Sequence, residues 1–277
     1  MVNPHRIKYN NIFSNELNIP DLIMCVAMDS DNGETPSFLN REAVSSESYD
    51  GRYKRIHRFK FTETFSPKFT FFKKDFSNFD IDEVRVVLKW LTSKDATSLL
   101  EAYYDDSNVV TWASIGGFIE PQLYKIANNR TIAITAVWDS ISPFALSDLY
   151  TVTKTITSTN NKIIINIDTD DNKPVYPRVT IKQNGTASDI KFTNIHTDLL
   201  KQTKVIPSVE IKNNGSTEII VLDGANRIIS SSSVNRVFDT DFNLTWITLL
   251  DGKNEITVEG NCTVTFEWRE VRKIGEY

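Results

Sequence analysis

The chain has 277 residues, 40% of them hydrophobic and 24% charged, with a formal net charge of −5 at neutral pH. That length holds one large domain or two ordinary ones, each with its own core. The acidic balance argues against a surface built mainly for phosphate contacts, and no apolar run reaches the roughly 18–20 residues of a membrane helix.

The opening MVNPHRIKYNNIF lacks the apolar segment of a secretory signal, so synthesis and folding in a cytoplasm are expected. Residues 21–28 (DLIMCVAM) read as a buried strand, and residues 29–37 as a loop by their Asp, Asn, Gly and Pro content. A Tyr-Asp-Gly turn at 49–51 opens the next stretch. From Arg58 the pattern alternates: Phe59, Phe61 and Phe65 lie on one face, Lys60, Thr62 and Thr64 on the other, which is the signature of a half-buried strand. Residues 68–74 form a short strand or a connection.

One helix follows, predicted over 81–93. Asp80 is its N-cap and Glu83 completes a capping-box pair. Ile81, Val84, Leu88 and Leu91 recur at helical spacing as a core-facing stripe, with Val87 beside it and Trp90 at its margin. Strand patterns resume through SLLEAYYDD and VVTWASIGGFIEPQLYKI, where Gly116-Gly117 predicts a bulge or sharp bend. Residues 130–138 read as another strand.

Pro143 and the polar run 151–162 mark a boundary between two domains, 1–150 and 151–277. Beyond it come many short strand-like segments separated by turn signals, the pattern of an antiparallel β-sandwich. Asn184-Gly185 and Asn214-Gly215 look like hairpin turns, and residues 251–254 (DGKN) like a tight turn. No repeat of fixed period is visible. The fold class is therefore mainly β, with the single helix in the first domain.

Residues with chemical potential are scattered. His5, His57 and His196 stand alone, far from Cys25 and Cys262, so a metal site is disfavoured and both cysteines are expected as reduced, packed thiols. No nucleophile elbow occurs, and the serine run 230–233 reads as a strand edge or loop. The carboxylate groups Asp29/Asp31, Asp105/Asp106, Asp168/Asp170/Asp171 and Asp239/Asp241 fall in turn-like segments, where Asp bonds its own backbone. Residues 168–172 start like a calcium loop but lack the glycine at the sixth position. Arg52, Lys54, Arg55, Arg58 and Lys60 form the densest basic stretch. It reads as a solvated strand face, as an arm toward acidic surface on a neighbouring subunit, or as a contact for passing DNA phosphates. Trp246 and Trp268 read as core residues, with a sugar-stacking platform as the alternative. No catalytic residue, cofactor site or metal ligand is assigned.

Taken in order, YDGRYKRIHRFKFTE, the helix ending VLKWLTS, SLLEAYYDD, GGFIEPQLY, RTIAITAVWDSISPFA and WITLLDGKNEITVEGNCTVTFEWRE resemble the distal tail protein (Dit) family of long-tailed siphophages. The helix and the Gly-Lys-Asn turn weigh most. The resemblance implies an N-terminal β-sandwich or barrel-like domain with one helix, which forms a ring, usually a hexamer. It implies a C-terminal galectin-like or carbohydrate-module-like sandwich on the ring's outside. Such a ring joins the tail tube to the tail-tip hub and the host-adhesion device, with receptor-binding proteins as further partners and DNA only passing through the channel. It implies no cofactor, no catalysis, no membrane, and a place in the virion. On this reading Tyr49, Arg52, Tyr53, Lys54 and Arg55 are candidate ring-interface residues. The alternative is a carbohydrate-binding accessory protein that recognises host cell-wall glycan through Trp246 and Trp268.

Overall fold

A computed structural model describes residues 5–27, 41–47, 53–61, 64–104, 108–157, 161–171, 173–234 and 236–273. The chain divides into two compact units. One runs to Asp148 and takes in Arg272; the other spans Leu149–Val271.

The first unit is built on β1 (Arg6–Tyr9), β2 (Ile12–Phe13), β3 (Leu22–Ala27), β4 (Arg41–Glu47), β5 (Lys54–Phe61) and β6 (Lys68–Lys73). After these come the helix α1 (Ile81–Leu91), β7 (Ser98–Tyr103), β8 (Trp112–Ile126), β9 (Arg130–Ser140) and β10 (Ala145–Leu146). Its main sheet runs β2-β1-β7-β8-β9-β6-β3. The turn Ser14–Glu16 packs on both β1 and β3, near opposite ends of that order, so the sheet curls toward closure. Residues 22–27 are not a fully buried strand: among the described residues β3 is an edge, with Met24 buried and Ile23 exposed.

The helix has the caps its sequence announces. Asp80 accepts from the Glu83 N–H at 2.8 Å, and Glu83 accepts from the Asp80 N–H at 2.8 Å. The inward arc differs from the expected stripe. Val87, Trp90 and Leu91 are buried, Val84 and Leu88 pack against them, and Ile81 is 85% exposed. Ile81 opens the helix at the end away from that arc, so its apolar side chain meets solvent. Trp90 moves from margin to core because its indole N–H reaches the Tyr9 carbonyl at 3.1 Å, which satisfies the polar end of a buried ring. Tyr9, Phe71, Trp90, Phe118 and Trp138 then meet mostly edge-on.

Gly116-Gly117 makes no bulge. Both residues pair regularly with β9, and the register shifts fall at Glu120-Pro121 and at Tyr124/Lys125. Proline has no N–H for the ladder, and Glu120 takes φ 51 beside it. Gly116 serves close approach instead, since a Cβ there would lie 2.1 Å from the Asp139 carbonyl oxygen.

The second unit is a sandwich of two antiparallel sheets. Its strands are β11 (Tyr150–Thr155), β12 (Lys162–Ile167), β13 (Arg178–Gln183), β14 (Ile190–Thr197), β15 (Thr203–Ile211), β16 (Ile219–Asp223), β17 (Ile228–Ser231), β18 (Gly252–Glu259) and β19 (Cys262–Trp268). The orders are β11-β19-β13-β16-β17 and β12-β18-β14-β15. Alternate residues of both sheets share one core, including Ile163, Ile165, Ile181, Phe192, Ile220, Val258 and Phe266. Most of the first half of the polar run 151–162 belongs to β11, an edge strand on β19. Asn184-Gly185 and Asn214-Gly215 are not hairpin turns either, because each lies between strands of different sheets. Residues 186–189 and 216–218 follow the glycines and carry the chain across the sandwich. Within residues 251–254, Gly252 at φ 103 opens β18.

Candidate functional site

Among the described residues no three His, Cys, Asp or Glu side chains gather as a metal site would require. Titratable groups with shifted protonation are dispersed and structural. Burial pushes the Tyr103 hydroxyl up to about 12, with Glu101 adding to the effect. Burial raises the Cys262 thiol to about 11. The side-chain amide of Asn226 holds the Asp223 carboxyl below its usual range. These groups do not converge on one cavity, whereas catalytic sites concentrate such perturbations.

The exposed apolar surface is more informative. β4 and β5 pair with each other and, among the described residues, with no other strand. A register shift at Val44/Ser45 leaves His57 as the extra residue, its ring nitrogen 2.8 Å from the Ser46 hydroxyl. That bulge changes the alternation. Ala43 faces Phe59 and Ser45 faces Ile56, so Ala43, Ile56, Phe59 and Phe61 share one face. Arg58 pairs with Val44, Arg55 with Ser46 and Lys60 with Glu42, so the other face carries Arg55 and Arg58, with Lys60 ion-paired to Glu42 at 2.7 Å. Ile56 is 51% and Phe59 53% exposed. Phe61, at the root, meets Phe144 edge-on at 4.7 Å. A second ribbon is formed by the ends of β8 and β9, where every residue from Ile119 to Arg130 is exposed, Leu123, Tyr124 and Ile126 included.

Two family models match the chain: a phage tail protein N-terminal domain over residues 5–114 and a phage tail C-terminal domain over residues 144–268. The Dit protein of phage SPP1, described as a paradigm of the hub adsorption apparatus in phages infecting Gram-positive bacteria, superposes with a TM-score of 0.60 at 9% identity. That match covers 95% of this chain and 98% of the SPP1 protein. A chain of the phage P2 baseplate, activated with calcium, superposes with a TM-score of 0.55 at 10% identity, covering 98% of each. The same baseplate with strontium gives 0.54 at 10% identity and 98% of each. No curated protein matches the sequence. The chain is a phage tail protein with the Dit fold.

This tail protein is a structural component of the phage tail, and so of the virion. Tyr53, Lys54 and Arg55 lie at the start of β5, all exposed, Tyr53 at 73%. Tyr49 and Arg52 lie outside the described residues, as do the Tyr-Asp-Gly turn, the 29–37 loop with Asp29 and Asp31, and Asp105 and Asp106. Trp268 is 7% exposed and stacks on Tyr150 at 5.6 Å, so its ring belongs to the core. Trp246 is half-buried, edge-on to Phe242 at 5.2 Å, with one side in a surface cleft. The structure does not bring the two tryptophans into one platform. Sequence reading missed the companions of Trp246, Tyr176 and Arg227, because they sit in connections far apart in the chain. The amphipathic β4–β5 ribbon was missed because a bulge breaks strict alternation.

Proposed function

We propose that this tail protein closes with copies of itself into a ring, hexameric in number, that joins the tail tube to the tail-tip hub and the host-adhesion device. In this reading residues 1–150 form the ring and residues 151–277 dock receptor-binding proteins. DNA meets the protein only in transit through the channel, and the protein is made in the host cytoplasm. Its role is assembly rather than catalysis.

The observation that supports the reading most is the β4–β5 ribbon. A two-stranded ribbon is marginal in water by itself, and this one has a face of Ala43, Ile56, Phe59 and Phe61. Covering that face with a neighbouring copy buries apolar surface, which stabilises by about 25 cal/mol per Å². The opposite face, with Arg55 and Arg58, adds register and encounter rate toward acidic surface on a chain of net charge −5. Head-to-tail contacts of this kind close into rings when the rotation permits. In this reading Tyr53, Lys54 and Arg55 engage the neighbouring copy.

Electron microscopy and solution mass of the purified protein test the reading, alone and with tail partners. Annular particles with a central hole are expected at micromolar concentration. The double substitution Ile56→Asp, Phe59→Asp is expected to give folded monomers whose far-ultraviolet circular dichroism matches that of the unmodified chain and whose unfolding midpoint does not depend on concentration. A strict monomer under every condition, partners included, would sink the ring.

A further inference from the structure

Four segments of the second unit, distant in sequence, meet around a cleft of about 380 Å³. Ile206 and Pro207 come from β15, where its ladder to β14 breaks register. Tyr176 precedes β13, and its neighbour Val175 exchanges backbone hydrogen bonds of 2.8 and 2.9 Å with Leu249. That bridge holds Tyr176 beside the segment bearing Leu244, Thr245, Trp246 and Thr248. Arg227 comes from the turn between β16 and β17.

This turn is shaped to lie against Tyr176. The Gly224 N–H donates to the Pro177 carbonyl at 3.2 Å. A Cβ on Gly224 would stand 2.9 Å from that oxygen and 3.2 Å from the Tyr176 Cβ, so a larger residue would push the turn away. Asp223 accepts from the Asn226 backbone at 3.0 Å and from its side chain at 2.9 Å. Arg227 itself takes φ 58, a conformation uncommon outside glycine, asparagine and aspartate.

The Arg227 guanidinium comes to rest 4.1 Å from the Tyr176 ring centroid and 5.6 Å from that of Trp246. Among the described residues it has neither a carboxylate nor a hydrogen-bond partner, and no carboxylate lines the cleft. Seated on aromatic rings by cation–π attraction, the planar fork keeps its N–H donors for an incoming oxyanion, which it matches in a bidentate manner. The Thr245 hydroxyl donates to the Asn243 carbonyl at 3.4 Å and the Thr248 hydroxyl to the Trp246 carbonyl at 3.1 Å. Each oxygen thus keeps a lone pair with which it accepts from a ligand hydroxyl. Apolar surface from Trp246, Leu244 and Pro207 completes the lining.

A ligand that satisfies all three features carries an oxyanion, free hydroxyl donors and a C–H face in one small unit. A neutral sugar leaves Arg227 unmatched, and an acidic peptide brings no array of hydroxyls for the two threonines. We propose that this cleft binds an acidic saccharide, its carboxylate or phosphate held by Arg227 and its ring laid against Trp246 and Leu244. The site lies wholly within the second unit and does not depend on ring assembly, so either idea can fail without the other.

The test uses the full chain at low ionic strength in titration calorimetry. Four probes are compared: an oligogalacturonate for the carboxylate, a sugar-phosphate oligomer for the phosphate, a neutral malto-oligosaccharide and polyglutamate. At least one acidic saccharide is expected to bind about tenfold or more tighter than the neutral one, a gap of about 1.4 kcal/mol or more. Arg227→Gln, an exposed substitution, is expected to remove at least that tenfold while leaving the unfolding midpoint unchanged. Lys162→Gln, outside the cleft, is expected to bind as the unmodified chain does. Which acidic probe binds identifies the anion. Failure of both acidic saccharides, equal affinity for the neutral one, or unchanged binding by Arg227→Gln overturns the proposal. Polyglutamate binding as tightly through Arg227 overturns it in favour of a protein partner.

Discussion

Asn254 is fully buried, although asparagine in the sequence Asp-Gly-Lys-Asn reads as a solvent-facing turn residue. Its side chain accepts from the Leu250 N–H at 3.0 Å and donates to the Leu250 carbonyl at 2.7 Å. Its oxygen also accepts from Asn194 at 3.1 Å, and Asn194 donates in turn to the Thr248 carbonyl at 2.9 Å. One amide thus fastens the irregular segment before β18, the same segment that carries Trp246. Asn254→Ala leaves these groups unpaired in the core, and the expected loss is about 1–3 kcal/mol in urea unfolding. Cys262 gives a second residue-scale prediction. Burial raises its thiol from 9.0 to about 11 in the folded chain. Between those values the unfolded chain has lost the proton that the folded chain retains, so stability falls as pH rises. Its contribution is intact below pH 9.0 and fades toward about 11. Unfolding midpoints measured across that window should fall less steeply in Cys262→Ala.

At the scale of elements, the helix was legible because its start is written in local chemistry. Asp80 and Glu83 bond each other's backbone irrespective of what the helix later touches. Which arc turns inward was less legible, since that depends on Tyr9 and Phe71 arriving from distant strands. The consequence is measurable: Leu91→Ala should cost about 2–5 kcal/mol, whereas Ile81→Ala should stay within about 0.5 kcal/mol. The glycine pair of β8 divides in the same way. A side chain at Gly116 collides with the Asp139 carbonyl, but at Gly117 it meets nothing within 4 Å. Gly116→Ala is therefore expected to destabilise by at least about 2 kcal/mol through overpacking. Gly117→Ala should be neutral or gain up to about 1 kcal/mol from reduced strand flexibility. From sequence the two are indistinguishable, because the colliding oxygen belongs to a strand more than twenty residues away. The Asn-Gly pairs misled for a related reason. They specify a change of direction, but whether the next strand rejoins the same sheet is decided by the residues that follow.

For the whole molecule, the division into two β-rich parts was visible as a change of composition, from aromatic strands to segments rich in Thr, Asn and Ile. What composition cannot convey is that each part fills a core from its own residues. The aromatic cluster around Phe118 and Trp138 draws on positions 7–145, and the sandwich core on positions 156–268. A core that is self-sufficient in this sense should survive alone. The fragment 149–271 is expected to fold, with dispersed amide resonances and a cooperative urea transition. Ile181 and Val264 are fully buried on adjacent strands of one sheet of that sandwich. Ile181→Ala should cost about 2–5 kcal/mol in the fragment, and the same amount in the full chain, because its neighbours are identical in both. An unfolded fragment, or a cost that differs by more than about 0.5 kcal/mol between the two contexts, would mean that the first unit stabilises the second. The pairing of the two measurements matters, since a low midpoint alone would not separate a weak fragment from a dependent one.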